Sequence, residues 1–121
     1  MNTRKVTALT VITAILALGE FASAVQIGLG ADGPDHSGWP FAVAFGTFFL
    51  IAAWLVRSGR IVAGAVLAGL LCLFEILSYP SWYKHGTLSW TYDTAFALVS
   101  LAGLIGAITV LAGRLRRRVA A

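Results

Sequence analysis

Hydrophobic positions along the chain fall into four long blocks, separated by short polar stretches. About 20 apolar residues cross roughly 30 Å of hydrocarbon, and each block approaches that length. The pattern predicts membrane-spanning helices over about residues 6–30, 39–56, 61–79 and 93–112. Pro40 suits the first turn of the second helix, and Pro80 limits the third. The polar turn Arg57-Ser58-Gly59-Arg60 is short enough to make the second and third helices antiparallel neighbours. Trp39 and Trp54 mark opposite ends of the second helix, at the level where indole rings favour the headgroups.

Composition agrees with the blocks. The chain has 121 residues, of which 59% are hydrophobic and 12% charged. Those are too few polar residues to clothe a water-soluble domain of this size. No stretch is long and polar enough to fold separately, so residues 1–121 are read as one all-α transmembrane domain, an integral membrane four-helix bundle with the lipid bilayer as solvent. The net charge of +4 does not point to nucleic acid, because of where it lies. Arg4 and Lys5 precede the first block, Arg57 and Arg60 join the second to the third, and Arg114, Arg116, Arg117 and Arg118 follow the fourth. The opposite connections carry Asp32, Asp35 and Asp93, with Lys84 the one cation there. Basic residues stay on the cytoplasmic side, so a multi-pass protein of the cell membrane with both termini cytoplasmic is expected. The basic tail also suits anionic headgroups.

The first block admits a second reading. Arg4-Lys5, an apolar core and Ala22-Ser23-Ala24 together resemble a signal peptide and its cleavage site. Apolar character continues past that site through Val25, Ile27 and Leu29, which favours a retained helix. Sequencing the mature N-terminus distinguishes the two. Residues 31–38 carry turn chemistry. Their Asp32, Asp35 and His36 match no metal-ligand spacing, so a solvated loop is expected and no metal site. The stretch from Ser81 to about Tyr92 holds Trp82, Tyr83, Trp90 and Tyr92 and reads as an outer loop bearing an aromatic belt. Cys72 is the single cysteine and is expected to pack as a small apolar side chain.

Against this apolar background stand the chain's two glutamates, Glu20 and Glu75, each inside a long apolar run with no cation beside it in sequence. A carboxyl within a bilayer is costly and asks for a partner or a purpose. Around Glu20, residues Thr3, Thr7, Thr10, Thr13, Ala17 and Ala24 recur at steps of three and four and line one helix face. Val11, Ile12, Ile15, Leu16 and Leu18 fall on the opposite face and are expected to meet lipid. Gly64, Ala68, Cys72, Glu75 and Ser78 form the corresponding face of the third helix, and Ala42, Gly46, Phe49 and Ala53 that of the second. Small and hydroxylated faces let membrane helices approach closely.

An offset of 55 positions carries Glu20 onto Glu75 and Ser23 onto Ser78, with Lys5-Val6 onto Arg60-Ile61 and Phe41-Ala42 onto Phe96-Ala97. Two hairpins of like orientation would be parallel repeats about an axis along the membrane normal. Each glutamate lies 14 residues beyond Val6 or Ile61, roughly 21 Å along its helix. The acids are therefore expected at a common height, two-thirds of the way toward the outer surface. If they meet, they titrate as a unit, with a protonated acid donating a hydrogen bond to its partner.

The candidate binding residues are Glu20, Glu75, Thr13, Ser23 and Ser78. Two functions compete. One is a proton- or cation-linked channel, carrier or ligand-binding bundle, for which a chain this short suggests a homo-oligomer. The other is an accessory or scaffold subunit of a larger membrane complex, with the acids as neutral hydrogen-bonding groups. In size, four-helix plan and an intramembrane glutamate the chain resembles the small multidrug-resistance carriers. It departs from them in its parallel repeat and second glutamate, and no motif carries over. An enzyme is less expected, since no serine–histidine pairing is evident and both histidines fall in outer loops. No cofactor is expected, because no helix interior offers a histidine to haem.

Overall fold

The computed structural model describes residues 3–29, 39–81 and 86–120 of the chain. Four helices account for nearly all of them: α1 (Thr3–Gly28), α2 (Trp39–Arg57), α3 (Ile61–Ser78) and α4 (Gly86–Ala120). Each is long and apolar enough to cross a membrane. A 3-10 turn, Tyr79–Ser81, extends the end of α3. Pro80 falls within that turn and cannot donate to a further helical ladder. The expected loops at Asp32, Asp35 and His36, and at Trp82, Tyr83, Lys84 and His85, lie outside the described residues.

α4 is longer than the apolar block alone predicts. It begins at Gly86 rather than near Asp93, and it runs on past Ala112 through the arginines to Ala120. Nothing between Gly86 and Asp93 forbids helix, since that stretch lacks proline and any internal glycine. Trp90 and Tyr92 consequently ride on a helix and not on an outer loop. The part of α4 long and apolar enough to cross a membrane falls within Trp90–Arg117.

Packing follows chain order. α1 packs most extensively on α2, α3 packs on α4, α2 meets α3, and α4 returns against α1. α1 and α3 barely touch along their lengths. The turn between α2 and α3 is tight because Gly59 takes a left-handed φ of 99°, a conformation glycine adopts without steric cost. Just beyond it, Gly64 brings α3 onto α2: a Cβ there would lie 2.8 Å from the Val56 nitrogen and 2.9 Å from the Ala52 oxygen.

The interior has two apolar layers. Toward the arginine-bearing ends of the helices, here termed inner, lie Leu9, Ala52, Val56, Ile61, Ala65, Ala68, Ala107 and Val110. Above them lie Leu16, Ala17, Phe49, Leu71 and Cys72, flanked by Phe21, Phe45 and Phe96. Outside, large apolar side chains such as Leu18 (68% exposed), Phe41 (73%) and Leu77 (71%) face away from the protein. Apolar surface on that scale is foreign to a protein in water and matches a hydrocarbon surround.

The buried face of α1 is wider than its run of small residues predicts. Leu9 and Leu16 are buried beside Thr13, Ala17, Glu20 and Ala24, and Ile12 is partly buried against the core. Leu16 was expected to face lipid; it lies inside because α1 touches α2 on one flank and α4 on the other. Val11, Ile15 and Leu18 do face outward. Thr3 and Thr7, at the inner end of the same row, are exposed. On α2, Ala42, Gly46, Phe49 and Ala53 are all buried, as are Gly64, Ala68, Cys72 and Glu75 on α3.

Candidate functional site

Glu20 and Glu75 are the two buried acids of the described chain, 7% and 6% exposed. Helical spacing turns each inward: Glu20 shares a face with Leu16, Ala17 and Ala24, and Glu75 with Ala68, Leu71 and Cys72. Although α1 and α3 hardly touch, the glutamate side chains are long enough to span the interior. Their carboxyl groups come within hydrogen-bonding reach of one another. An ionised carboxylate only accepts, so a hydrogen bond between two carboxyls requires a proton on one of them. The described lysines and arginines (Arg4, Lys5, Arg57, Arg60, Arg114, Arg116, Arg117 and Arg118) all belong to the ends of the helices remote from the acids. The arrangement can hold one proton between two acids, or exchange it for another small cation.

The other candidates take different places. Thr13 is buried, but its hydroxyl donates to the Leu9 carbonyl of its own helix at 2.5 Å. It also lies two turns inward of Glu20, roughly 10 Å along the axis. Ser78 donates to the Phe74 carbonyl at 2.7 Å. Ser23, one turn outward of Glu20, is half-buried. Such bonds to a carbonyl one turn back are the usual way for a hydroxyl to satisfy itself within a helix. The structure thus brings the two acids together, and it engages the hydroxyls of Thr13 and Ser78 with backbone.

Three further residues of the interior are not among the candidate binding residues. Ser100 is wholly buried on α4 and donates to the Phe96 carbonyl at 2.9 Å. Cys72 sits one turn below Glu75 on the same buried face of α3. A Cβ at Gly103 would fall 2.7 Å from the Cys72 sulfur, so glycine is what admits the thiol there. Tyr92 reaches from α4 to donate its hydroxyl to the Gly19 carbonyl at 2.5 Å, one residue before Glu20. In sequence these looked like one serine among many, a core thiol and a belt aromatic. A signal for Tyr92 did exist, since extending the α4 periodicity backward from Phe96 by one turn puts Tyr92 on its face.

No protein-family model, curated protein or solved structure matches the chain. The site must therefore be read from its own chemistry.

Proposed function

We propose that the chain is a four-pass protein of the cell membrane whose Glu20–Glu75 pair binds a proton or a small cation. In this reading it is a four-helix bundle of two parallel two-helix repeats, with both termini cytoplasmic. It acts as a carrier, channel or ligand-binding bundle. The observation that carries the reading is the meeting of two acids from helices that otherwise scarcely touch, away from the basic ends. Intramembrane acids mark ion and proton paths by default. The gain from one hydrogen bond between spans is only about 0.6 kcal/mol on average, a small return for placing two acids there. The repeat reading is supported by the offset that carries one acid onto the other and by the extensive packing within α1–α2 and α3–α4. The orientation is supported by the gathering of arginines at one side.

Between the acids and the inner ends lie both apolar layers, one of them wholly aliphatic. That favours a closed carrier or occluded binding site over a standing water-filled pore. Ser23 and Ser78, one turn beyond the acids, are the polar groups a cation moving outward would meet next.

A second reading, an accessory or scaffold subunit, draws on the hydroxyls. Thr13 and Ser78 both bond to their own helices, and the two acids can satisfy each other. In that case the pair is a neutral lock within a homo-oligomer or a larger complex. Glu20→Gln and Glu75→Gln, singly and together, separate the readings. Ion coupling predicts normal folded yield with at least a tenfold loss of proton- or cation-dependent flux in liposomes, as removal of a charge-binding group should give. A lock predicts reduced yield. Unchanged yield and unchanged flux would remove the acids from any special role.

A further inference from the structure

α1 and α3 carry the two acids but do not themselves fix the distance between them. That distance is set through α2 and α4, which lie on either side. On α2, two adjacent residues hold the neighbours of both acids. A Cβ at Gly46 would lie 3.0 Å from the Phe21 ring, so the ring rests on bare backbone. The Phe45 ring meets the Phe74 ring with centroids 5.1 Å apart. Phe21 follows Glu20 and Phe74 precedes Glu75.

On α4 the grip is polar. The Tyr92 hydroxyl holds the Gly19 carbonyl, and Thr94 and Tyr79 share a hydroxyl–hydroxyl bond of 2.8 Å. Gly19 precedes Glu20, and Tyr79 lies one turn beyond Glu75. Tyr92 stacks on Phe96, with centroids 6.5 Å apart, and Phe96 in turn lies against Gly19, where a Cβ would come within 2.8 Å of the ring. The α1–α4 seam is also the least extensive of the four around the ring.

We infer that Tyr92 is a positioning residue for the acid pair. Its bond to Gly19, paired with the Thr94–Tyr79 bond, holds α1 and α3 at the separation where Glu20 meets Glu75. The functional meaning of that separation rests on the ion-binding reading above. Ring packing on α2 has no single contact to exchange, whereas the hydroxyl bonds on α4 can each be traded for another partner. The α4 side is therefore where the acids part when a proton or cation enters or leaves. Tyr92 acts through the backbone of α1 and touches neither carboxyl in doing so.

The test uses the full chain in lipid vesicles and dicyclohexylcarbodiimide, a lipid-soluble reagent for protonated carboxyls. The carboxyl oxygen bonds to the carbodiimide carbon, and the acid proton passes to its nitrogen. Intact mass reports the adduct, and Glu20→Gln and Glu75→Gln assign it. Tyr92→Phe keeps the ring and removes the hydroxyl. It should speed labelling about threefold, the factor carried by one average intramembrane hydrogen bond. Thr94→Val, which cuts the bond on the α3 side, should act in the same direction and stands in if Tyr92→Phe fails to fold. Val56→Ala, which loosens the inner layer, should leave the rate unchanged at a comparable loss of thermal stability. Wild-type labelling in both α4 variants would overturn the inference, as would equal acceleration by Val56→Ala. The ion-binding reading is tested apart from this, by flux in the glutamine variants, so either can fail while the other stands.

Discussion

The inner and outer halves of the interior are held together by opposite means. The inner half is built from small residues: Ala52, Ala65, Ala68 and Ala107 fill it with a few branched side chains, and Gly64 lets α3 sit directly on the α2 backbone. The outer half is built from rings and polar atoms. Phe21, Phe45 and Phe96 fill the space there, with Tyr92 and the two acids among them, and the Phe74 ring and the Tyr79 hydroxyl lie at its exposed edge. Backbone packed on backbone has nowhere to move. Rings swing and hydroxyls exchange partners. The comparison explains how one small chain can combine a rigid foundation with a site able to open, since without a hydrophobic drive between helices in lipid, close packing and hydrogen bonds are what hold them.

Adding one methyl group at glycines of different depth would sharpen that contrast or break it. The largest effect is expected for Gly64→Ala. Its Cβ would meet the backbone atoms of Val56 and Ala52 below 3.0 Å, which only a shift of a whole helix relieves. Overpacking of that kind costs about 3 kcal/mol, read as lost folded yield and lowered thermal stability in detergent. Midway, Gly103→Ala would press on the Cys72 sulfur at 2.7 Å. A loss of about 2 kcal/mol is expected, and Cys72→Ala in the same chain should restore more than half of it. Independent, additive effects of the two changes would contradict the contact. The smallest effect is expected for Gly19→Ala, where the obstacle is the edge of the Phe96 ring. The ring can turn aside at a cost of about 1 kcal/mol. That variant should keep its fold yet label faster with carbodiimide, as Tyr92→Phe does. Gly19→Ala proving as damaging as Gly64→Ala would mean that the outer half is no softer than the inner.

The place where sequence reading stopped short has a physical origin. In water, a helix announces its buried face by a change from apolar to polar. In a bilayer both faces are apolar, and only subtler marks such as small residues remain. Those marks located the inward faces of α2 and α3, where Gly46, Gly64 and Ala68 admit a neighbouring helix. They misplaced Leu16, because α1 has neighbours on two flanks and buries a broad arc. Tyr92 was read as an interface anchor because the apolar block of α4 starts only after it. The helix itself starts earlier, at Gly86, and so places the tyrosine against α1.

What the sequence determined by itself is what depends on local composition: four spans, their short polar connections, the side where arginine gathers, and two acids at matched positions along their helices. Each follows from the free energy of moving individual side chains between water and hydrocarbon. The tertiary structure alone decided that α1 and α3 stand apart and yet bring Glu20 to Glu75, and that α2 and α4 grip the residues beside them. Those relations depend on how four apolar surfaces of similar chemistry fit together. Shape and a few hydrogen bonds select that fit, and no single helix carries enough of either to reveal it.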